Sequence, residues 1–191
     1  IKQEIQDGEK LKNHPARYAL VELVNIHDPG LKVEPIHRIA FNVDLDDMLT
    51  SMYEFYEKEG SRLTHMRYRT FKAARKAASR VKSGAHAIPY VSEGVYGMLT
   101  VEGPRRGMAL ETLEAFFESY SAEGGAKLTF IHGDDAVVKV ASEKGAVGFI
   151  MPKISKHEIF RRVITHGVFP KKSISMGEAD DKRFYIECRK I

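Results

Sequence analysis

The chain has almost no cysteine. Cys188 stands alone among 191 residues, so no internal disulfide can form, and every zinc site built on clustered thiolates is excluded. That usage fits a reducing compartment, and the expected location is the cytoplasm. No apolar run approaches the ~20 residues that a membrane-spanning helix needs, so no membrane partner is expected. No signal-peptide pattern opens the chain either. No Gly-x-x-x-x-Gly-Lys-[Ser/Thr] run occurs, which excludes a P-loop nucleotide site. Internal repeats and low-complexity linkers are absent too. The first residue is Ile1 rather than Met, from which a fragment of a longer chain is expected.

What is present is ordinary globular material, 43% apolar and 29% charged, enough for one domain spanning residues 1–191 with a core of its own. Thirty Lys and Arg against 26 Asp and Glu leave a net charge of +4. That excess is local. Between Ser61 and Ser83 there are eight basic residues and no acidic one, so the rest of the chain is net negative. A nucleic-acid partner would therefore rest on this one segment. Its apolar residues Tyr68, Phe71, Ala74, Ala78 and Val81 have helical spacing, which predicts a basic helix over 61–83, an elaboration on the domain. Tyr68 and Phe71 share the stripe that faces the core, so a solvated basic face is the plainer reading and nucleic acid is not the expected partner.

Around that segment, helical and extended patterns mix. Residues 1–12 read as the end of a polar helix, broken at Asn13-His14-Pro15. Ala16–Ile26 and Leu31–Val43 read as strands joined by the turn His27-Asp28-Pro29-Gly30, an antiparallel hairpin. Asp44 caps a helix carrying Leu45, Met48, Leu49, Met52, Phe55 and Tyr56, which stops at Gly60. Short strands are predicted at Ile88–Val91 and Val95–Val101. A helix with Leu110, Leu113, Phe116, Phe117 and Tyr120 follows, ending at Gly124-Gly125. After it come a strand over Lys127–Ile131, a short helix capped by Asp134 or Asp135, and a buried strand over Val147–Met151. Ser155-Lys156-His157-Glu158 reads as a capping box for a helix ending at Gly167. Phe169–Lys182 reads as a loop and Arg183–Lys190 as a last strand, with Cys188 in a packing position. The class is α/β in the mixed sense, α+β, with a mixed sheet carrying the N-terminal hairpin and helices packed on it.

Three places could carry chemistry. His37-Arg38 sets an imidazole beside a guanidinium, suited to proton transfer and to clamping a phosphate. Alternation sends the two to opposite faces, and His37 shares its face with Ile39 and Phe41, so it also reads as a satisfied histidine at the core edge. His132-Gly133-Asp134-Asp135 follows a strand and opens a helix. Its two carboxylates, Asp134 and Asp135, could hold a magnesium ion, the simpler alternative being helix capping. Lys171, Lys172 and Ser173, with Lys153 near by, could bind a phosphate or carboxylate, or could be a solvated basic loop.

Three stretches taken together resemble one family. They are His14-Pro15-Ala16-Arg17-Tyr18-Ala19-Leu20-Val21 with Asn25–Gly30 and Pro35-Ile36-His37-Arg38; Ile131-His132-Gly133-Asp134-Asp135; and Gly148-Phe149-Ile150-Met151-Pro152 with Phe169-Pro170-Lys171-Lys172-Ser173 and Lys182-Arg183-Phe184-Tyr185. These resemble the C-terminal half of bacterial proteins of the domain of unknown function 1015 family, from about His14 onward, with 56–92 departing from it. The resemblance implies a partner in the missing N-terminal half, which would carry an Asp-Gly-His-His-Arg-like motif. It also implies a link to serine biosynthesis, since similar proteins have been connected with phosphoserine phosphatase activity and their N-terminal halves with ParB-like serine kinases.

The expected function is part of an enzyme acting on a small phosphorylated amino acid, O-phosphoserine first, by phosphatase-like or kinase-like chemistry. In that reading His37 moves a proton and Arg38, Lys171, Lys172 and Ser173 hold the anionic groups, with magnesium at Asp134 and Asp135. The alternatives are a non-catalytic lid, scaffold or self-association domain forming a homodimer, and nucleic-acid binding through the basic segment.

Overall fold

The computed structural model describes residues 23–122 and 126–177. Its elements run β1 (Val33–Phe41), α1 (Leu45–Lys58), β2 (Arg62–Tyr68), α2 (Phe71–Ala78), β3 (Ala85–Ser92), β4 (Val95–Glu102), α3 (Ala109–Ala122), β5 (Lys127–His132), α4 (Asp134–Val140), β6 (Ala146–Phe149), a 3-10 turn at Lys156–Glu158, α5 (Ile159–His166) and β7 (Ile174–Met176). The strands form one sheet in the order β2-β4-β3-β6-β1-β5, with β7 also on β1. The α/β class with helices on a sheet is therefore present. All the strand pairings given by the described residues are antiparallel, where a mixed sheet was expected.

β1 organises the molecule because both of its faces are covered. Successive strand residues point to opposite sides. Arg38 reaches Glu114 of α3, while His37 reaches Asp134 of α4. The main core lies on the Arg38 side, where Ala40, Met52, Tyr56, Leu113, Phe116 and Phe149 pack together. α1 is fixed there by its sequence. The Asp44 carboxylate accepts from the backbone N–H of Asp46 and Asp47 at 2.9 and 3.1 Å, and the helix buries Met48, Leu49, Met52 and Tyr56. On the other side α4 settles onto β6 at Gly148, where a Cβ would stand 2.4 Å from a Val137 methyl, so only glycine allows that approach.

Three expectations are revised. The basic segment 61–83 is not one helix: its first part is β2, paired with β4 from Arg62↔Glu102 to Tyr68↔Tyr96, and only Phe71–Ala78 is helical. β2 is an edge strand with a single buried side chain, Leu63, so its alternation leaves little trace in the sequence. Leu23–Ile26, the described end of the expected strand Ala16–Ile26, is irregular rather than extended, while the turn at His27–Gly30 does form, Asp28 Oδ1 accepting from the Gly30 N–H at 2.8 Å. β1 instead pairs with β5, β6 and β7, which come from the far end of the chain. Within the expected loop Phe169–Lys182 lies β7, held by β1 from Val33↔Met176 to Pro35↔Ile174. The segments 1–22 and Arg183–Lys190, with Cys188, lie outside the described residues.

Candidate active-site cleft

His37 has only 2% of its side chain exposed and both ring nitrogens occupied. Nδ1 accepts the backbone N–H of Met151 at 3.1 Å. An amide can only donate, so Nδ1 carries no proton, and the neutral ring must carry its hydrogen on Nε2. Nε2 lies 3.0 Å from Oδ1 of Asp134 and donates to it. Burial, then the nearby guanidinium groups of Arg75 and Arg38, push the His37 pKa from 6.5 down to about 4, with Glu34 acting weakly the other way. The Asp134 carboxylate also favours the cation, but its charge is already met by Arg75 of α2, which pairs with Oδ2. His37 is thus a fixed donor that aims Asp134.

Asp134 is 30% exposed, where His37 is almost fully covered. It opens α4 directly after Gly133, whose φ of 87° turns the strand into the helix. Neither Asp134 nor Asp135 caps this helix, because Gly133 occupies the cap position and no side chain bonds there. The register Ile36↔His132 between β1 and β5 brings this corner level with His37. Around it opens a cleft of about 530 Å³ whose walls include Arg75, His132, Asp135, Glu34 and Lys153. Lys153 Nζ sits 2.9 Å from the Glu34 carboxylate. The Nε2 atom of His132 is buried and meets no hydrogen-bond partner among the described residues. The cleft therefore presents carboxylates and cations together, the surface a zwitterion needs.

The other expected binding residues form a different structure. Arg38 is fully buried, and its five N–H donors are all taken: Nε and Nη2 by Glu114 at 3.2 and 2.6 Å, Nη1 by the carbonyls of Ile36 and Lys172 at 2.8 and 2.9 Å, and Nη2 again by the Lys171 carbonyl at 3.2 Å. Its guanidinium also lies 4.6 Å from the centre of the Phe130 ring. No donor is left for a phosphate, and Arg38 acts here as a clamp on the chain at 171–172. Lys171 and Lys172 give that clamp their carbonyls while their side chains are exposed. Ser173 is buried and donates to the Pro170 carbonyl at 2.6 Å. Of the expected site, His37, Asp134 and Asp135 come together; Arg38, Lys171, Lys172 and Ser173 do not join them.

For magnesium, the carboxylates of Asp134 and Asp135 are suitable oxygen donors, and such ions are commonly held by one or two carboxylates plus substrate phosphates. No group of three or more His, Cys, Asp or Glu side chains arranged to hold a metal occurs among the described residues. Sequence reading missed Arg75, because its segment looked like a uniformly solvated basic face. The residue that distinguishes it is Thr70, whose hydroxyl accepts the Ala73 N–H at 3.2 Å and so starts the helix that aims Arg75 at α4. No helix among the described residues is long and apolar enough to cross a membrane.

The family model described as "Protein of unknown function (DUF1015)" matches residues 1–128. Among solved structures, a free serine kinase carrying a Glu-to-Ala mutation, in complex with AMP, is similar at a TM-score of 0.58 and 19% identity, over 82% of this chain and 58% of that one. The same mutant with ADP gives 0.56 and 18%, over 82% and 58%. A conserved hypothetical protein from Pyrococcus furiosus gives 0.55 and 18%, over 82% and 60%. The chain thus spans about three-fifths of the length of these structures, and the likeness is one of fold. The comparison with curated proteins gave no match.

Proposed function

The chain belongs to the family described as "Protein of unknown function (DUF1015)", and from that premise we propose that its cleft binds a small hydroxy amino acid, serine or its phosphate ester, for phosphoryl transfer involving a nucleotide. The observation that carries this reading is the chain Met151 N–H, His37, Asp134, Arg75, which holds one carboxylate at a fixed angle in a cleft of mixed charge. The fold it shares with free serine kinases in complex with AMP or ADP supports the reaction class.

The chemistry follows from the donors present. The amino acid's ammonium group would sit against Asp135 and Glu34, and its carboxylate or phosphate against Arg75 and Lys153. Asp134 would take the hydroxyl proton as the serine oxygen attacks the terminal phosphorus of the nucleotide, and the bond from that phosphorus to the nucleotide's bridging oxygen would break. The leaving electron pair stays on the shortened nucleotide. A magnesium ion brought by the nucleotide would meet Asp134 and Asp135 and neutralise phosphate charge. In this scheme His37 is a positioning residue, since it touches Asp134 and not the reacting atoms.

The test is formation of O-phosphoserine by the full-length protein from serine and ATP or ADP with magnesium, followed by phosphorus NMR. Asp134→Asn should lower turnover by about 100-fold or more, as loss of a general base does. Nucleotide-independent hydrolysis of O-phosphoserine would turn the reading to a phosphatase. No turnover in either direction, with Asp134→Asn binding serine as the wild type does, would overturn it.

A further inference from the structure

A second pocket, of about 360 Å³, opens beside the cleft. Lys153 lines both spaces. Between them runs the chain from Met151 to Lys153, whose first amide is the donor that fixes His37. The two cavities therefore share a wall and a lysine.

They differ in chemistry. The cleft is charged, whereas this pocket is mainly apolar, with small side chains on facing walls: Ala78 from α2, Ala85 and Ala87 from β3, and Gly107 and Ala109 before and at the start of α3. Val81 also lines it. Of the polar groups that border it, His86, Arg162 and Ser173 are already engaged within the protein, and Glu158 adds a carboxylate. His86 Nδ1 is 2.8 Å from the Thr112 hydroxyl, and burial holds its pKa below the ordinary value, so the ring is a neutral wall. Arg162 is tied to both oxygens of Glu111 at 3.0 Å, with its guanidinium against Gly107. A slot with short side chains and a neutral imidazole along most of its lining suits a flat, weakly polar ring. An anion would be poorly served inside it. Lys153, paired with Glu34 at 2.9 Å but with 62% of its side chain exposed, lines the slot as well as the cleft that holds Arg75 and Asp134.

We infer that this pocket receives the base and sugar of a nucleotide whose phosphates run past Lys153 into the Asp134 cleft. The inference rests on the phosphoryl-transfer reading and assigns the second substrate its place. It divides the ligand by chemistry, with the apolar ring in the alanine-lined slot and the charged end among the cations.

Binding of three probes to the full-length protein separates the parts: adenosine, ADP and pyrophosphate, each by calorimetry. Ala87→Leu fills the slot, and Val81→Glu puts a charge in its lining from a half-buried position where folding is less at risk; thermal melts accompany both. Each variant should weaken adenosine and ADP by about tenfold or more while leaving pyrophosphate unchanged. Arg75→Ala should do the reverse, weakening ADP and pyrophosphate and sparing adenosine. Adenosine and ADP binding equally well to the wild type and to folded variants would overturn the pocket assignment, as would pyrophosphate binding without any adenosine binding. Adenosine lost in the slot variants with pyrophosphate indifferent to Arg75 would keep the pocket and overturn the phosphoryl-transfer reading.

Discussion

His37 and Arg38 are neighbours on one strand, both buried, and each is bonded to a carboxylate from a helix on its own side of the sheet. The two sides differ in what surrounds that pair. On the Arg38 side every donor is spent on the protein, with an aromatic ring over the guanidinium and the main apolar core around it. On the His37 side the carboxylate's second oxygen is held by a surface arginine, and the cleft beside it is lined by further carboxylates and cations. A buried charge that is completely satisfied holds a fold together, and one that borders a charged cleft is available for chemistry.

The contrast can be broken first from the closed side. Arg38→Met should destabilise the chain by about 3–5 kcal/mol, because it strands the Glu114 carboxylate and three carbonyls that the guanidinium now serves. Urea denaturation would check this, and a loss under ~1 kcal/mol would mean that the clamp is not what fixes the loop at 171–172.

The next largest effect belongs to pH. With a pKa of 6.5 unfolded and about 4 folded, His37 binds more protons in the unfolded state between those limits. Its contribution is fully present above pH 6.5 and is lost as pH falls toward about 4, a total on the order of 3 kcal/mol. Melting curves across that window should show the slope, and His37→Gln should flatten it.

Arg75→Ala reverses the pattern of Arg38→Met. The Arg75–Asp134 pair is partly exposed, at 38% and 30%, so stability should change by under ~1 kcal/mol while pyrophosphate binding falls. A large loss of stability with binding intact would place Arg75 in the scaffold. Least of all, Lys171→Ala or Lys172→Ala should move stability by under ~0.5 kcal/mol and leave pyrophosphate binding unchanged, since Arg38 uses only their carbonyls. Weaker pyrophosphate binding there would return those lysines to the site.

Legibility in the sequence follows the range of the forces involved. α1 could be read whole because its cap, its stripe and its terminating glycine are all local, and the strands β3 and β4 in part, as short apolar runs whose pairing the reading did not include. The pairing of β1 with β5, β6 and β7 depends on distant segments that carry no mark of their partners. The candidate site shows the same division. His37, Arg38, Asp134 and Asp135 stood out by residue type, but their roles came from neighbours that only folding supplies. An arginine was expected to bind substrate and instead closes a loop, and a histidine expected to move protons instead aims a carboxylate.

The most direct test of that last point is heteronuclear NMR of the His37 ring through a pH titration. A neutral ring with its proton on Nε2, titrating near pH 4 and shifting in Arg75→Ala, is the predicted result. A ring protonated on Nδ1, or one that titrates freely near pH 6.5, would contradict it and return His37 to the role of acid or base.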